Sequence, residues 1–372
     1  MDTGFDATVM MGLTMALVPI VGVLMALTPY LMKKSECFTV TVPEAAACDP
    51  YLRGLKRRYL LSMLGLTAAL LAVGFGFMAM NNPAAVLSVV IVGTLLICLV
   101  GYGLMLHFRK KVSVYKKERG WRAEAQEAVA VIGERDVPHA ISLKWNLLYI
   151  PVLLITLGVG VAGYAQMPDM IAMQVGFDGE VSRWAEKTSA IVLMPVLIQL
   201  FMIACMVFSH WNILRSKRLS EPNAPATSAL AYGMFARAQS IMLLIMGLAI
   251  CIAMILMPLS FIGLVSLMQG AVVILVVCLI IVIGSIAISL VYGQGGSRLF
   301  SRMGGSEEIL ADDDEHWKFG IFYFNRADPS LFLPARFGVG WTFNYARPAI
   351  WAIMVAGLVL TVAFVVVIMM FG

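Results

Sequence analysis

Four adjacent carboxylates, Asp312-Asp313-Asp314-Glu315, form the densest group of hard oxygen ligands in the sequence. Divalent cations take clustered carboxylates, so the run is a candidate cation site. It lacks the spaced acids of an EF-hand, and neighbouring carboxylates on one chain point in different directions. A solvated acidic edge is the expected state, with Asp312 or Asp314 also suited to cap or turn the segment that follows. The other reactive side chains fall into no chemical order. His107 and His210 end apolar runs as ordinary interfacial residues, and His139 and His316 stand alone in polar segments. No H-E-x-x-H pair, G-x-S-x-G elbow or P-loop occurs. Gly295-Gly296-Ser297 and Gly304-Gly305-Ser306 read as loop punctuation. Cys37 and Cys48 lack the spacing and histidine neighbours of a zinc site. Cys98, Cys205, Cys251 and Cys278 lie within apolar runs, so no structural disulfide is expected. The chain reads as a non-enzyme, with no catalytic residue, metal or cofactor expected.

Recognition is better supplied. The segment Met167–Thr188 offers Asp169, Asp178, Trp184 and Lys187, with Glu180, Arg183 and Glu186, around a turn at Gly176 to Gly179. An aromatic anchor among charges of both signs suits an external peptide. The competing expectation is a lid on the helix ends, with Trp184 in the interfacial aromatic belt. A second candidate surface is Asp312–Pro348, where ten aromatic side chains fall between Trp317 and Tyr345 among glycines, prolines and turn formers. Its binding candidates are Trp317, Tyr323, Asn325, Arg336, Trp341 and Asn344. The pattern predicts two short strands, Phe319–Asn325 and Arg336–Tyr345, joined by a turn near Asp328-Pro329.

The elements that must position these residues are membrane helices. Hydrophobic residues make up 60% of the chain and charged residues 13%, against roughly 45–50% and about 25% in soluble domains. Mean hydropathy is +0.88. The fold class is an all-α polytopic membrane protein of about eight transmembrane helices, with a small aromatic β-hairpin-like cytoplasmic insertion before the last. The expected spans are Thr8–Met32, Leu60–Met80, Ala84–Leu106, Trp145–Gln166, Ser189–Ser209, Ala238–Met257, Gly270–Tyr292 and Ala349–Phe371. The organisation reads as a three-helix region with its loops (1–144), a four-helix region (145–292), the aromatic insertion (293–348) and the last helix (349–372).

Of the 27 lysines and arginines, 25 lie in alternate loops, and only Arg183 and Lys187 lie in the loop after the fourth span. Cationic loops stay cytoplasmic, which predicts a multi-pass protein with both termini outside; the plasma membrane itself is what the family resemblances below imply. The acidic start, MDTGFDATVMMG, lacks a signal peptide's basic region, so no processing is expected. The net charge of +5 marks topology and not nucleic-acid binding.

No Asp, Glu, Lys or Arg falls within a predicted span, which weakens an ion-coupled transporter or proton pump. Pro19 and Pro195 are expected as tolerated kinks. Gly74 and Gly76, Gly158 and Ala162, and Gly284 and Ala287 would permit close helix approach, and the 26 methionines suit adaptable apolar packing. Between Lys110 and Asp136, Trp121, Ala125, Ala128, Val129 and Ile132 share one face, as in an interfacial helix or a solvated linker helix.

Two motifs resemble known families. Met167-Pro168-Asp169 through Gly179 to Trp184 and Lys187, between two spans, resembles domain of unknown function 1648, found in the SdpI family of bacterial membrane immunity proteins. Its pattern is similar to L-P-D-x-I-P-x-H, a glycine turn, an aromatic and a lysine; Ala172 and Gln174 stand at the proline and histidine places. Asp312–Pro348 resembles domain of unknown function 5808, through Trp317-Lys318, Tyr323-x-Asn325, Asp328–Phe332 and Arg336–Asn344, with Ala335 where a lysine is common. A weaker likeness covers Phe38–Tyr59, a segment often found ahead of the second helix in such proteins. The SdpI resemblance implies protection against a secreted toxin coupled to sequestration of a cytoplasmic repressor. The leading expectation is thus a membrane sensor or immunity protein. Its expected partners are the lipid bilayer, an extracellular peptide and a cytoplasmic regulator, with no nucleic acid. The alternatives are a transporter or its accessory subunit, for which Thr14, Ser88, Thr94, Thr156 and Ser285 are meagre polar material, and a structural membrane scaffold.

Overall fold

The computed structural model describes residues 3–121, 137–176, 180–217, 224–304, 313–338 and 340–370. Among them, eight helical spans are long and apolar enough to cross a membrane: Thr8–Leu31, Pro50–Ala79, Pro83–Glu118, Leu143–Gln166, Ser189–Arg215, Pro225–Phe261, Leu267–Arg302 and Pro348–Met370. Each coincides with an expected span. Several run further on the side of the cationic loops, because Arg53, Arg58, Arg109, Lys116 and Arg237 are good helix formers outside the apolar core.

In chain order, α1 (Thr3–Met15) and α2 (Leu17–Leu31) form the first span, and β1 (Glu36–Cys37) with β2 (Val40–Thr41) forms a small hairpin. Helices α3 (Pro50–Ala79) and α4 (Pro83–Glu118) follow, then α5 (Tyr149–Gly163). Strands β3 (Met170–Val175) and β4 (Val181–Glu186) lead to α6 (Leu193–Arg215), α7 (Pro225–Ala253) and the short α8 (Leu256–Phe261). After α9 (Leu267–Tyr292) and α10 (Ser297–Arg302) come β5 (Trp317–Lys318), β6 (Phe322–Tyr323), β7 (Phe332–Pro334), β8 (Trp341–Phe343) and α11 (Pro348–Met370).

Local chemistry sets the boundaries. Asp49 caps α3 by accepting from the Tyr51 and Leu52 N–H groups, and Pro50 takes the first helical position. Asn82 and Pro83 repeat this arrangement at α4, giving the tight turn between the two helices. Ser266 and Gln269 form a reciprocal capping box at α9. The α1–α2 break at Ala16 has a direct cause: Pro19 lacks the N–H that would reach Met15, and its ring crowds that carbonyl. Pro195 lies in the first turn of α6, where a missing N–H costs little.

Helices α1 to α4 pack around one core, centred on Met15, Val18, Met63, Ile97 and Met105. Helices α5, α6, α7 and α9 form a second group, and α9 also touches α1 and α2. Lipid is as apolar as leucine, so close approach and polar bonds hold such bundles more than burial does. A Cβ at Gly74 would lie 1.9 Å from Met15 Cε, and one at Gly284 would lie 2.8 Å from Met242 Cε. Gly76 and Gly158, expected at helix contacts, have nothing within 4 Å of that position. Helix α11 leaves nearly all its apolar surface open, as a lipid-facing helix does; Phe364 stacks on Phe201 of α6 at 4.2 Å. Of the Lys110–Asp136 connection, residues 110–118 continue α4. Residues 122–136, where the interfacial or linker helix is expected, lie outside the described residues.

The aromatic insertion departs from the expected single hairpin. Trp317 pairs with Tyr323 and Lys318 with Phe322 in one hairpin, while Phe332, Leu333 and Pro334 pair with Phe343, Thr342 and Trp341 in another. A bridge from Tyr323 to Asn344 joins them. The reason lies in the turns: Phe319 and Gly320 both adopt positive φ (50° and 75°), so the chain reverses inside the segment expected to be one strand. Strands β7 and β8 pair antiparallel, so the chain also reverses between Pro334 and Trp341, where one extended strand from Arg336 was expected.

Candidate functional site

Residues 33–49, 293–304, 313–338 and 340–347, the end of α4 and the residues just after α6 share one face of the molecule, and polar side chains among them are bonded to one another. The centre is Arg336, only 6% exposed. Its Nη1 donates to the Thr39 carbonyl at 2.9 Å and to Asp314 Oδ1; Nη2 donates to Thr41 Oγ1 at 3.0 Å and to Asp313 Oδ1. Nε lies 3.8 Å from Glu36 Oε1, and the guanidinium sits 5.0 Å from the Trp317 ring centre. Asp314 also accepts from Lys116 Nζ at 2.7 Å, from Thr41 N–H at 3.1 Å and from Thr41 Oγ1 at 2.8 Å. Arg109 donates to Thr39 and, at 3.2 Å, to the Trp317 carbonyl. Trp317 Nε1 donates to Asp313 Oδ2 at 3.1 Å.

The acidic run is therefore no solvated edge. Asp313 and Asp314 face a buried guanidinium, which supplies the positive charge a metal would bring; Glu315 alone points to solvent, and Asp312 lies outside the described residues. Burial pulls Arg336 down, but Asp313, Glu36 and Asp314 more than offset this and raise its pKa. Burial pushes Asp314 up, yet Arg336 and Lys116 win and hold it at about 2.

The β1–β2 turn is shaped around these donors. Phe38 and Thr39 both have positive φ (48° and 64°), a strained state for side chains with a Cβ. Phe38 is fully buried against Tyr59 and Phe108, and Thr39 offers its carbonyl to two arginines. Gly320 is required opposite, because a Cβ there would lie 2.2 Å from Thr39 Oγ1.

A second knot closes the insertion. Asn344, fully buried, donates to the carbonyls of Asn325 (2.9 Å) and Asp328 (3.0 Å) and accepts from the N–H groups of Asn325 (3.1 Å) and Ala346 (3.2 Å). Every bond an amide can make there is made. Tyr323 Oη donates to Asp328 Oδ2 at 3.1 Å and accepts from Asn325 Nδ2 at 3.1 Å. Burial raises the Tyr323 phenol to about 12. Lys217, just after α6, reaches Asp328 at 2.7 Å, while Gln294 donates to the Ala335 and Gly340 carbonyls at 2.9 and 2.7 Å. Phe332 packs on Trp211 of α6, and Trp341 on Phe235 of α7. Of the residues expected to bind partners, Trp317, Tyr323, Asn325, Arg336 and Asn344 are thus brought together and committed inward. The insertion clamps both helix groups to each other.

On the opposite face, β3 and β4 make a hairpin with irregular register around Ala172 and Gln174. Ile171, Met173 and Ala185 pack with Met167, Ile191, Val192 and Phe261 on the helix ends. Trp184, 52% exposed, and the exposed Arg183, Glu186 and Asp169 occupy the free surface. Lys187 is held back, donating to the Met167 carbonyl at 2.7 Å with its ammonium 5.0 Å from the Tyr164 ring. Asp178 lies outside the described residues.

Two polar residues within the spans are not Asp, Glu, Lys or Arg and so escape a search for those types. Gln199, fully buried, donates from Nε2 to Thr156 Oγ1 and to the Cys251 carbonyl, both at 2.8 Å, tying α5, α6 and α7 together. His210, expected as an interfacial residue, is instead 1% exposed. Its Nε2 lies 2.8 Å from the Ile141 carbonyl and its Nδ1 3.0 Å from Asn146 Nδ2. The segment before α5 folds back over it. All six cysteines are free.

Neither the curated proteins nor the solved structures gave a match to the chain. Family models do match: residues 152–198, from within α5 through the β3–β4 hairpin into α6, match the family described as Domain of unknown function (DUF1648). Residues 326–351, from the second knot into α11, match the Family of unknown function (DUF5808), so this multi-pass helical membrane protein carries both segments.

Proposed function

We propose that the protein is a non-enzymatic sensor or immunity protein of the bacterial plasma membrane, with the β3–β4 hairpin and both termini outside and the aromatic insertion in the cytoplasm. The observation that carries this reading is the hairpin's exposed surface: Trp184 and Glu186 stand on the face of β4 away from Ala185, which seats the strand on the helix ends, and Arg183 is exposed beside them on the adjoining face. An anchored aromatic among charges of both signs is the composition of a peptide-binding hot spot. Helix α9 touches β3 at one end, and just beyond its other end Gln294 grips the insertion, so a shift of the hairpin has a physical route to the cytoplasmic face. The orientation rests on the cationic loops, and the immunity role on the resemblance to the SdpI family.

The test is a strain lacking the gene, challenged with a broad panel of secreted bacterial peptides. At least one peptide should be more toxic to it. Wild-type protein should restore resistance, and a Trp184→Ala, Arg183→Ala double variant should not. Equal sensitivity across the panel, or full rescue by the double variant, overturns the reading. The transporter alternative is favoured by Gln199, a buried amide where three spans meet; ligand-specific accumulation in vesicles would establish it instead.

A further inference from the structure

The β5–β6 hairpin of the insertion leaves three phenylalanines uncovered: Phe319 is 67% exposed, Phe322 40% and Phe324 42%. Phe322 and Phe324 share one strand face, opposite the buried Tyr323. That face continues into a spanning helix, because the Phe322 ring packs on Tyr345 at 5.3 Å and Tyr345 on Trp351 of α11 at 6.0 Å. Trp351 Nε1 donates to the Tyr345 carbonyl at 3.0 Å, which fixes the junction. A contiguous exposed apolar patch marks a contact with protein or with membrane. Phe319 sharpens the choice. Its φ is +50°, a conformation that glycine or asparagine adopts more easily, and its ring adds little to the interior.

Depth decides between the two. Arg109, just beyond the apolar run of α4, donates to the Trp317 carbonyl at 3.2 Å. Tyr102, inside that run and roughly two helical turns deeper, donates to the Phe319 carbonyl at 3.2 Å. The next residue, Gly320, lies against Thr39, whose hydroxyl is 3.8 Å from Met105 Sδ, also inside the run. The hairpin therefore descends alongside α4, and its turn is level with residues that span the membrane. A partner from the aqueous phase would have to enter lipid to reach it. Lys318 pairs with Phe322 and so shares its face, which suits rings among the glycerol and upper acyl groups with an ammonium at the phosphates. We propose that the β5–β6 hairpin is seated in the membrane, with Phe319, Phe322 and Phe324 held in the phospholipid leaflet nearest the insertion. Strand β5 also carries Trp317, which accepts from Arg109 and lies under Arg336, so lipid contact bears directly on the Arg336 cluster. The proposal depends neither on peptide sensing by the opposite hairpin nor on which side of the membrane the insertion faces.

The experiment uses the full chain in nanodiscs of phosphatidylcholine and phosphatidylglycerol, with the photoreactive p-benzoylphenylalanine in place of Phe319 or Phe322. Tyr51 and Leu358, replaced in the same way, are the controls. Tyr51 is exposed at the start of α3, well outside the apolar run that begins at Leu60, and Leu358 is exposed on the lipid-facing α11. After irradiation and digestion, mass spectrometry should find phospholipid adducts at positions 319, 322 and 358 and none at 51. Hydroxyl-radical footprinting of the wild type in the same nanodiscs gives a readout that no substitution can disturb. Oxidation of Phe319 and Phe322 should be several-fold lower than that of Tyr51, although the fold alone leaves all three open. Absence of lipid adducts at 319 and 322 while 358 is labelled, or oxidation equal to that of Tyr51, would overturn the proposal. So would adducts to a second copy, or to another protein when the cross-link is made in cells before purification.

Discussion

The β3–β4 hairpin and the aromatic insertion draw on the same residue types and use them in opposite ways. In the hairpin, Trp184 is half exposed and Arg183, Glu186 and Asp169 face outward. In the insertion, Trp317 and Arg336 are almost fully buried, and the arginine's donors are spent on Thr39, Thr41, Asp313 and Asp314. Tryptophan and arginine are the usual anchors of a binding surface, but only where their hydrogen bonds and faces are still available. The insertion is the latch of this molecule, and the hairpin is its open hand.

Breaking the latch should have the largest effect. Arg336→Ala leaves Asp313, Asp314 and Glu36 facing an uncompensated interior, a loss of about 3–5 kcal/mol. Arg336→Lys should recover little, because an ammonium cannot span both carboxylates and the two Thr39 and Thr41 oxygens at once. Thermal denaturation in detergent, followed by tryptophan fluorescence, would measure both. Next comes Asn344→Ala, which removes four hydrogen bonds from the second knot and should cost about 2–4 kcal/mol. If either variant unfolds no more readily than wild type, the latch reading fails.

The spans were legible because apolar length and loop charge are local signals, and Asn81-Asn82-Pro83 marks a turn wherever it occurs; the start of α3 was not, since the apolar run begins at Leu60 whereas Asp49 and Pro50 start the helix ten residues earlier. Nor was the interior of the insertion. Asp313 and Asp314 look like a solvated run because their partner lies 22 or 23 positions away on Arg336, and the Thr39 turn nearly 300 away. His210 was misread for the same reason, since its cover, Ile141 and Asn146, arrives from before α5. Gln199 escaped because a neutral amide does not register in a search for charges. In the hairpin the candidates Asp169 and Trp184 do lie at the surface, whereas Lys187 is drawn back by a carbonyl and a ring that spacing cannot reveal.

Acid should loosen the latch in a defined window. Asp314 is held down from its ordinary 3.8 to about 2 by Arg336 and Lys116, despite the opposing effect of burial. A depressed carboxylate contributes stability that is complete above its unfolded pKa and is lost as pH falls through the folded one. The gap in thermal midpoint between wild type and Asp314→Asn should therefore be constant above about pH 4 and close as pH approaches 2. A gap unchanged over that range would mean that Asp314 is not ionised in the latch. Gly320→Ala tests the fit between the two turns. It places a Cβ against Thr39 at a φ of +75°, and should cost about 1–3 kcal/mol in the same melt.

The smallest effect on stability belongs to the hairpin, and that is what makes it informative. Trp184→Ala removes an indole more than half open to its surroundings, and Ile171, Met173 and Ala185 keep the hairpin seated without it. The melting curve in detergent should shift by no more than about 0.5 kcal/mol. A larger loss would mean that Trp184 is packing as a lid or anchoring in the bilayer interface, and that its exposure is not free for a partner. Melting both the wild type and the variant in nanodiscs separates those two, since an interfacial anchor contributes only when lipid is present. A tryptophan that matters in neither setting, on strands held by other residues, is retained for something outside the fold. On that logic the side chain with the least to do for stability is the one most available for recognition.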